Sequence, residues 1–357
     1  MSDFHDGPIR VGITHGDFNG IGYEVIMKAF ADHGMLELCT PVVYGLHKAA
    51  SLYRKTLGIQ DFSFYGIPEA SKAVKHHCNF VNLTDVDVGI EPGTSTPAAG
   101  SWAVKALNRA LEDLEQGHID VLVTAPINKQ NVQSPEFKFP GHTEFLASRT
   151  QTSDYLMLLV NEGLRIGTVT GHIPITEVAS KLSTDLIVSR LRVMAKSLLV
   201  DFGVRTPRIA VLGLNPHAGD QGLIGKEEEQ IISPAIRKLS QEGMLVYGPY
   251  PADGFFGSGA WKKFDGVMAM YHDQGLIPFK SLAFHHGVNF TAGLPIVRTS
   301  PDHGTGYDIS GKNEADPSSL REAVFLAIDV FRNRRMYLEI SANPLQPQQK
   351  KERERER

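Results

Sequence analysis

The chain has 357 residues, 42% of them hydrophobic and 21% charged, a globular composition long enough for two lobes. Net charge is −4 with both signs dispersed, which leaves no electrostatic case for nucleic acid or an anionic membrane surface. Two cysteines, Cys39 and Cys78, with no CxxC argue against a disulfide framework, and no run approaches the roughly 20 apolar residues of a membrane span. The polar opening Met1–Asp6 is unlike a signal peptide, so a cytoplasmic protein is expected.

Arg10–Thr14 reads as a first strand. The turn His15-Gly16-Asp17-Phe18-Asn19-Gly20-Ile21-Gly22 then opens a helix through about Phe30. A glycine-rich strand-to-helix turn can cradle an anion, but the spacing is neither a GxGxxG fingerprint nor a P-loop, so a tight turn is expected. Pro41–Gly45 is a second strand, followed by a helix over about Lys48–Leu57; Ile59–Glu91 is hard to assign. Thr96-Pro97 is an N-cap with proline at the first helical position, and this helix runs to about Gln116. Ile119–Ala125 is a buried strand closed by Pro126–Lys129.

His142-Thr143 sits where a loop becomes a helix, a place suited to a polar or anionic ligand. Strands near Met157–Val160 and Arg165–Thr170 precede a helix over about Asp185–Phe202, whose Ile187, Leu191, Met194 and Leu198 are core. Ile209–Leu214 is a strand, and Lys226–Glu242 a helix kinked near Pro234. Gly248–Phe256 reads as a loop carrying Asp253 among apolar neighbours. Gly266–Met270 is a buried strand, and Asp316-Pro317 opens a last amphipathic helix. From Ser341 to Arg357 a charged tail with no apolar face is expected to be disordered. Strands alternate with helices, so the fold class is α/β with largely parallel sheets and helices on both faces.

Three histidines follow apolar strands, each with glycine or proline within three residues: His172 in Thr170-Gly171-His172-Ile173-Pro174, His217 in Asn215-Pro216-His217-Ala218-Gly219, and His272 in Tyr271-His272-Asp273-Gln274-Gly275. Three imidazoles suit a catalytic divalent metal with open positions. The competing reading is three unrelated strand-end histidines out of 14. Asp253 is a candidate general base, against a plain turn residue. Lys280 and Arg298 are candidate cations for carboxylate or phosphate, against solvated surface charges. Asp302-His303-Gly304-Thr305, with Gly306 and Gly311, suggests a loop with exposed backbone donors.

The motifs Thr124-Ala125-Pro126-Ile127-Asn128-Lys129, Pro140-Gly141-His142-Thr143-Glu144, Asn215–Gly219, Tyr271–Gly275 and Arg298–Thr305 together resemble the 4-hydroxythreonine-4-phosphate dehydrogenase (PdxA) family of vitamin B6 synthesis, from about Arg10 to about Met336. Asp308–Pro317 resembles the nucleotide loop of isocitrate and isopropylmalate dehydrogenases, which implies that two-lobed fold. The first turn departs from the family, with Phe18-Asn19 where it has Pro-Ala and Tyr23 where it has Pro. The resemblance implies NAD- or NADP-dependent oxidation of 4-phosphooxy-threonine followed by decarboxylation. It implies one divalent metal (Zn, Mg or Co) on His172, His217 and His272, and substrate contacts from His142, Thr143, Lys280, Asn289 and Arg298. Asp253, with Lys280 as rival, is expected to be the base, and Asp302, His303, Gly304, Asp308, Gly311 and Asn313 are expected to bind the cofactor. The nucleotide lobe is expected over 1–130 plus 281–340 and the metal, substrate and dimerisation lobe over 131–280, in a homodimer that shares the site. Competing readings are a dehydrogenase of 4-phosphoerythronate or another phosphorylated hydroxy acid, a metal-dependent hydrolase or isomerase, and a non-catalytic binding protein.

Overall fold

Short runs of aliphatic and β-branched residues build the sheet. The computed structural model describes residues 7–135, 137–283 and 286–343; the opening Met1–Asp6 and most of the tail expected to be disordered lie outside them. The strands are β1 (Ile9–Thr14), β2 (Cys39–Gly45), β3 (Tyr65–Ile67), β4 (Asn79–Asn82), β5 (Val121–Thr124), β6 (Leu156–Asn161), β7 (Leu164–Thr168), β8 (Arg208–Leu212), β9 (Leu245–Tyr250), β10 (Gly266–Ala269), β11 (Val288–Ala292) and β12 (Arg298–Pro301). They form one sheet in the order β3-β4-β2-β1-β5-β12-β11-β6-β7-β10-β8-β9. Pairing is parallel except at β12–β11, β11–β6 and β6–β7. The late strands β12 and β11 therefore stitch the strands of the first third of the chain to those of the middle.

The helices are α1 (Gly22–Phe30), α2 (His33–Leu38), α3 (His47–Thr56), α4 (Pro97–Glu115), α5 (His142–Arg149), α6 (Ile175–Lys181), α7 (Thr184–Val200), α8 (Ser233–Gln241), α9 (Ala252–Gly257), α10 (His272–Ala283) and α11 (Ser318–Ser341). They cover both faces, as strand alternation requires. Val42, Tyr44 and Leu122 pack with Ala103, Leu107 and Leu111 of α4 on one face. Val43, Val121 and Val123 pack with α1 and α11 on the other. The expected cap of α4 is present: Thr96 Oγ1 accepts from Ala99 N at 3.2 Å, with Pro97 opening the helix.

Several local readings change. Gly248–Phe256 is not a loop: it ends β9 and begins α9. A proline in a strand argues for a loop unless the strand is an edge, and β9 is the last strand of the sheet. The 226–242 helix is a π-helical turn, Glu228–Ile232, followed by α8; Pro234 stands in the first turn of α8, where its missing N–H costs nothing. The unassigned 59–91 region contributes β3 and β4. The last helix continues to Ser341, where the tail was expected to start.

Candidate active site

β7, β10 and β8 are adjacent and parallel, so the segments that follow them emerge at the same end of the sheet. These segments carry His172, His272 and His217. Val169 N and Thr170 N extend the ladder to Ala269 O and Met270 O, bringing the first two segments together. The His172 and His272 rings stand 5.2 Å apart. Gln274 ties in the third segment: its Oε1 accepts from Met270 N at 2.7 Å and its Nε2 donates to Gly213 O at 2.6 Å. His272 opens α10, and its Nδ1 lies 2.7 Å from Asp273 Oδ1, which leaves Nε2 free to ligate. His172 is held below its ordinary pKa by burial and by Lys129, whose Nζ is 3.4 Å from His172 Nε2. Neutral imidazoles with a free nitrogen are the donor chemistry a divalent transition ion takes.

The third histidine is not beside the other two. His217 is exposed and lies in a left-handed run, His217–Gln221, at φ 53° for His217. Buried Glu228 steadies this turn by accepting from Leu214 N and Asn215 N at 2.8 and 2.7 Å. Positive φ at non-glycine residues is strained backbone, the kind held at functional sites by its surroundings. Among the described residues, no three His, Cys, Asp or Glu side chains cluster closely enough to hold a metal.

Beside the histidine pair is a cavity of about 430 Å³. Its deepest charge is Arg298 of β12, 3% exposed. Among the described residues the guanidinium donates to hydroxyls only, to Thr124 Oγ1 at 2.7 and 3.1 Å and to Thr291 Oγ1 at 3.5 Å. Burial pulls its pKa down to about 10, so it stays charged at neutral pH. The Glu144 carboxylate on the same wall offsets part of this desolvation without hydrogen-bonding the guanidinium, and an anion entering the cavity relieves more of it. His142 opens α5 on the same wall; burial, Arg298 and Lys129 hold it well below its ordinary pKa, so it faces the cavity neutral. Thr143 Oγ1 is 3.3 Å from Thr291 Oγ1, and Asn289 presents a buried Oδ1 with no partner.

Asp302, His303 and Gly304 also line the cavity. Burial raises the Asp302 pKa, against Lys280, whose Nζ is 3.8 Å away. Half-exposed Lys280, on α10, does not itself line the cavity and reaches it only through Asp302. His303 Nε2 is buried without a partner, and Gly304 is exposed with open space where a Cβ would stand, so this loop end fits a polar ligand. Asp308, Gly311 and Asn313 lie farther along the same loop, away from the cavity wall; Asp308 and Asn313 are exposed. Asp253 is exposed in the first turn of α9 and does not line the cavity.

Lys129, Glu144 and Arg190 also line the cavity without having been assigned a role from sequence. Lys129 and Glu144 belong to quoted motifs, which was the available signal. Arg190 gave none: it lies on α7, whose pattern reads as core, and its guanidinium reaches Tyr155 O.

Residues 37–327 match the family described as pyridoxal phosphate biosynthetic protein PdxA. A Bacteroides thetaiotaomicron 4-hydroxythreonine-4-phosphate dehydrogenase is 52% identical over 344 residues, spanning 96% of this chain and 94% of that one. A Sulfurihydrogenibium relative of the same name is 42% identical, over 92% and 100%. The crystal structure of a 4-hydroxythreonine-4-phosphate dehydrogenase from Klebsiella pneumoniae superposes with a TM-score of 0.78 at 35% identity, over 91% and 98%. The fold is therefore the dehydrogenase fold expected from the motifs, and the chain belongs to the PdxA family of pyridoxal phosphate biosynthetic proteins.

Proposed function

We propose that the chain oxidises 4-phosphooxy-L-threonine at its C3 hydroxyl, with NAD or NADP and one divalent metal (Zn, Mg or Co), in pyridoxal 5'-phosphate synthesis. The product, 2-amino-3-oxo-4-phosphooxybutanoate, loses CO2 to give 3-amino-2-oxopropyl phosphate. The observation that carries this reading is Arg298, a buried cation hydrogen-bonded to hydroxyls at the floor of a cavity in a chain whose relatives are named for a phosphorylated substrate.

Arg298 binds one anionic end of the substrate, and Lys129 and Lys280 are the cations for the other. Thr143 and Asn289 supply polar contacts, and neutral His142 donates or accepts one hydrogen bond. When bound, the nicotinamide takes the hydride from C3 and the divalent ion polarises the C3 oxygen. Lys280 is the favoured base for the hydroxyl proton, because its Nζ reaches Asp302 of the cavity wall; exposed Asp253 takes that role only from a second copy. Loss of CO2 leaves its electron pair at C2, which then takes up a proton. Asp302, His303 and Gly304 hold the near part of the nucleotide, and Asp308, Gly311 and Asn313 the far part. We retain 1–130 with 281–340 as the nucleotide lobe and 131–280 as the substrate lobe.

His172 and His272 provide two metal ligands, and a second copy of the chain supports the third. Exposed apolar residues follow each of the three histidines, Ile175 at 73%, Leu223 at 81% and Ile277 at 63% exposure, as a covered dimer face would have them. The test is NADH formation from 4-phosphooxy-threonine beside 4-phosphoerythronate, with and without a chelator. Chelator-sensitive turnover of the amino substrate supports the reading. Turnover of the erythronate alone moves the protein to the paralogous reaction, and silence on both removes the dehydrogenase reading.

A further inference from the structure

Several amides of the first glycine-rich turn are already used. Asp17 N donates to Pro126 O at 2.8 Å, Asn19 N to Asp17 Oδ1 at 2.9 Å, and Ile21 N to Thr305 O at 2.9 Å. The turn is instead wedged between two loops that both line the cavity. One carries Pro126, Ile127 and Lys129; the other carries Asp302, His303 and Gly304. Gly16 lies against Pro126 and Gly20 against Thr305 so closely that a Cβ at either would overlap a backbone carbonyl oxygen. Between them the Asp17 carboxylate, 1% exposed, joins the same two loops. Its Oδ2 accepts from Asn131 Nδ2 and from Tyr307 OH, each at 2.7 Å.

We propose that Asp17 is a positioning residue for nucleotide binding: through Tyr307 it holds the 302–313 loop at a set distance from the wall that carries Lys129. The inference rests on the assignment of that loop to the nucleotide. The far half of the loop has its own ties. Ser310 Oγ lies within hydrogen-bonding distance of Asn19 O and Gly20 O, and Lys28 Nζ donates to Asn313 O and Ala315 O. Removing the Tyr307 hydroxyl therefore loosens the 302–307 end, leaving it tied through Ile21 N to Thr305 O and Asp302 N to Ser319 Oγ and Gly287 O, while the far half keeps its own docking.

The experiment is an NADH fluorescence titration, with steady-state kinetics and thermal unfolding alongside, on wild type, Tyr307→Phe, Asp17→Asn and the double variant. A hydrogen bond to a buried carboxylate predicts NADH binding about tenfold weaker in each single variant. The double variant is expected to be no weaker than Asp17→Asn alone, because that substitution already removes the charged contact to Tyr307 along with those to Asn131 and Asn19. The nucleotide KM rises with kcat little changed. Arg10→Ala, which breaks the Arg10–Asp120 pair at the far end of β1, serves as the control that loses stability without losing NADH affinity. A Tyr307→Phe protein with lowered Tm and unchanged NADH affinity makes the contact a structural staple and overturns the proposal. Wild-type protein that binds no NADH overturns the nucleotide assignment and this inference with it.

Discussion

At the residue scale, Arg298 and His15 show how one buried group carries a measurable consequence. Arg298→Ala removes the cation under the cavity, and kcat/KM for the doubly anionic substrate is expected to fall about 100-fold, the worth of a strong charged contact. An unchanged kcat/KM takes Arg298 out of the site. His15 is fully buried, stacked on Tyr23 at 5.4 Å, with neither ring nitrogen paired to a side chain. Burial lowers its pKa from 6.5 to about 4. The unfolded chain thus takes up this proton first as pH falls, and the folded chain only near the lower value. Its share of stability is intact above 6.5 and lost progressively down to about 4, by about 3 kcal/mol in all. Denaturant unfolding across that window should show a steeper acid decline in wild type than in His15→Gln; equal slopes dismiss the idea. Chemical type was readable before the fold: histidines just beyond apolar strands, and Arg298 as a candidate cation for carboxylate or phosphate. Their partners were not, because Thr124 and Thr291 reach Arg298 from other strands.

At the element scale, α4 is bound to the sheet by a buried carboxylate. Asp113, 2% exposed, accepts from Tyr44 OH of β2 at 3.0 Å and from Arg109 Nε at 3.1 Å, and meets His118 Nδ1 at 3.0 Å. Asp113→Ala leaves the buried Tyr44 hydroxyl unpaired and should cost about 3 kcal/mol, read as a lower denaturation midpoint with little change in KM. A loss under half a unit of that scale removes the network from the account of stability. Long periodic helices such as α4 and α7 were legible because cap, proline and apolar spacing agree. β9 was not, since Pro249 reads as a breaker until the strand is known to lie at the sheet edge. The first turn was legible as a turn; its work as a wedge depends on loops from residues 126 and 305 meeting there.

At the scale of the whole molecule, one chain brings together two of the three strand-end histidines and leaves apolar side chains exposed beside each segment. Ile277→Lys places a charge in the proposed dimer face and should shift the protein to monomer in sedimentation while abolishing chelator-sensitive turnover. A dimer of unchanged stability and activity would falsify the shared site. The α/β class, the parallel strands, the family and the residue types of the site were already written in the order of the amino acids, because periodicity, caps and short motifs are local. The sheet order was not: β7, β10 and β8 are neighbours although β8 lies between β7 and β10 in the chain. Nor was the hydrogen bonding of Arg298 to hydroxyls, or the separation of His217 from His172 and His272. Those depend on which distant segments pack together, and local chemistry along a chain does not choose its long-range neighbours.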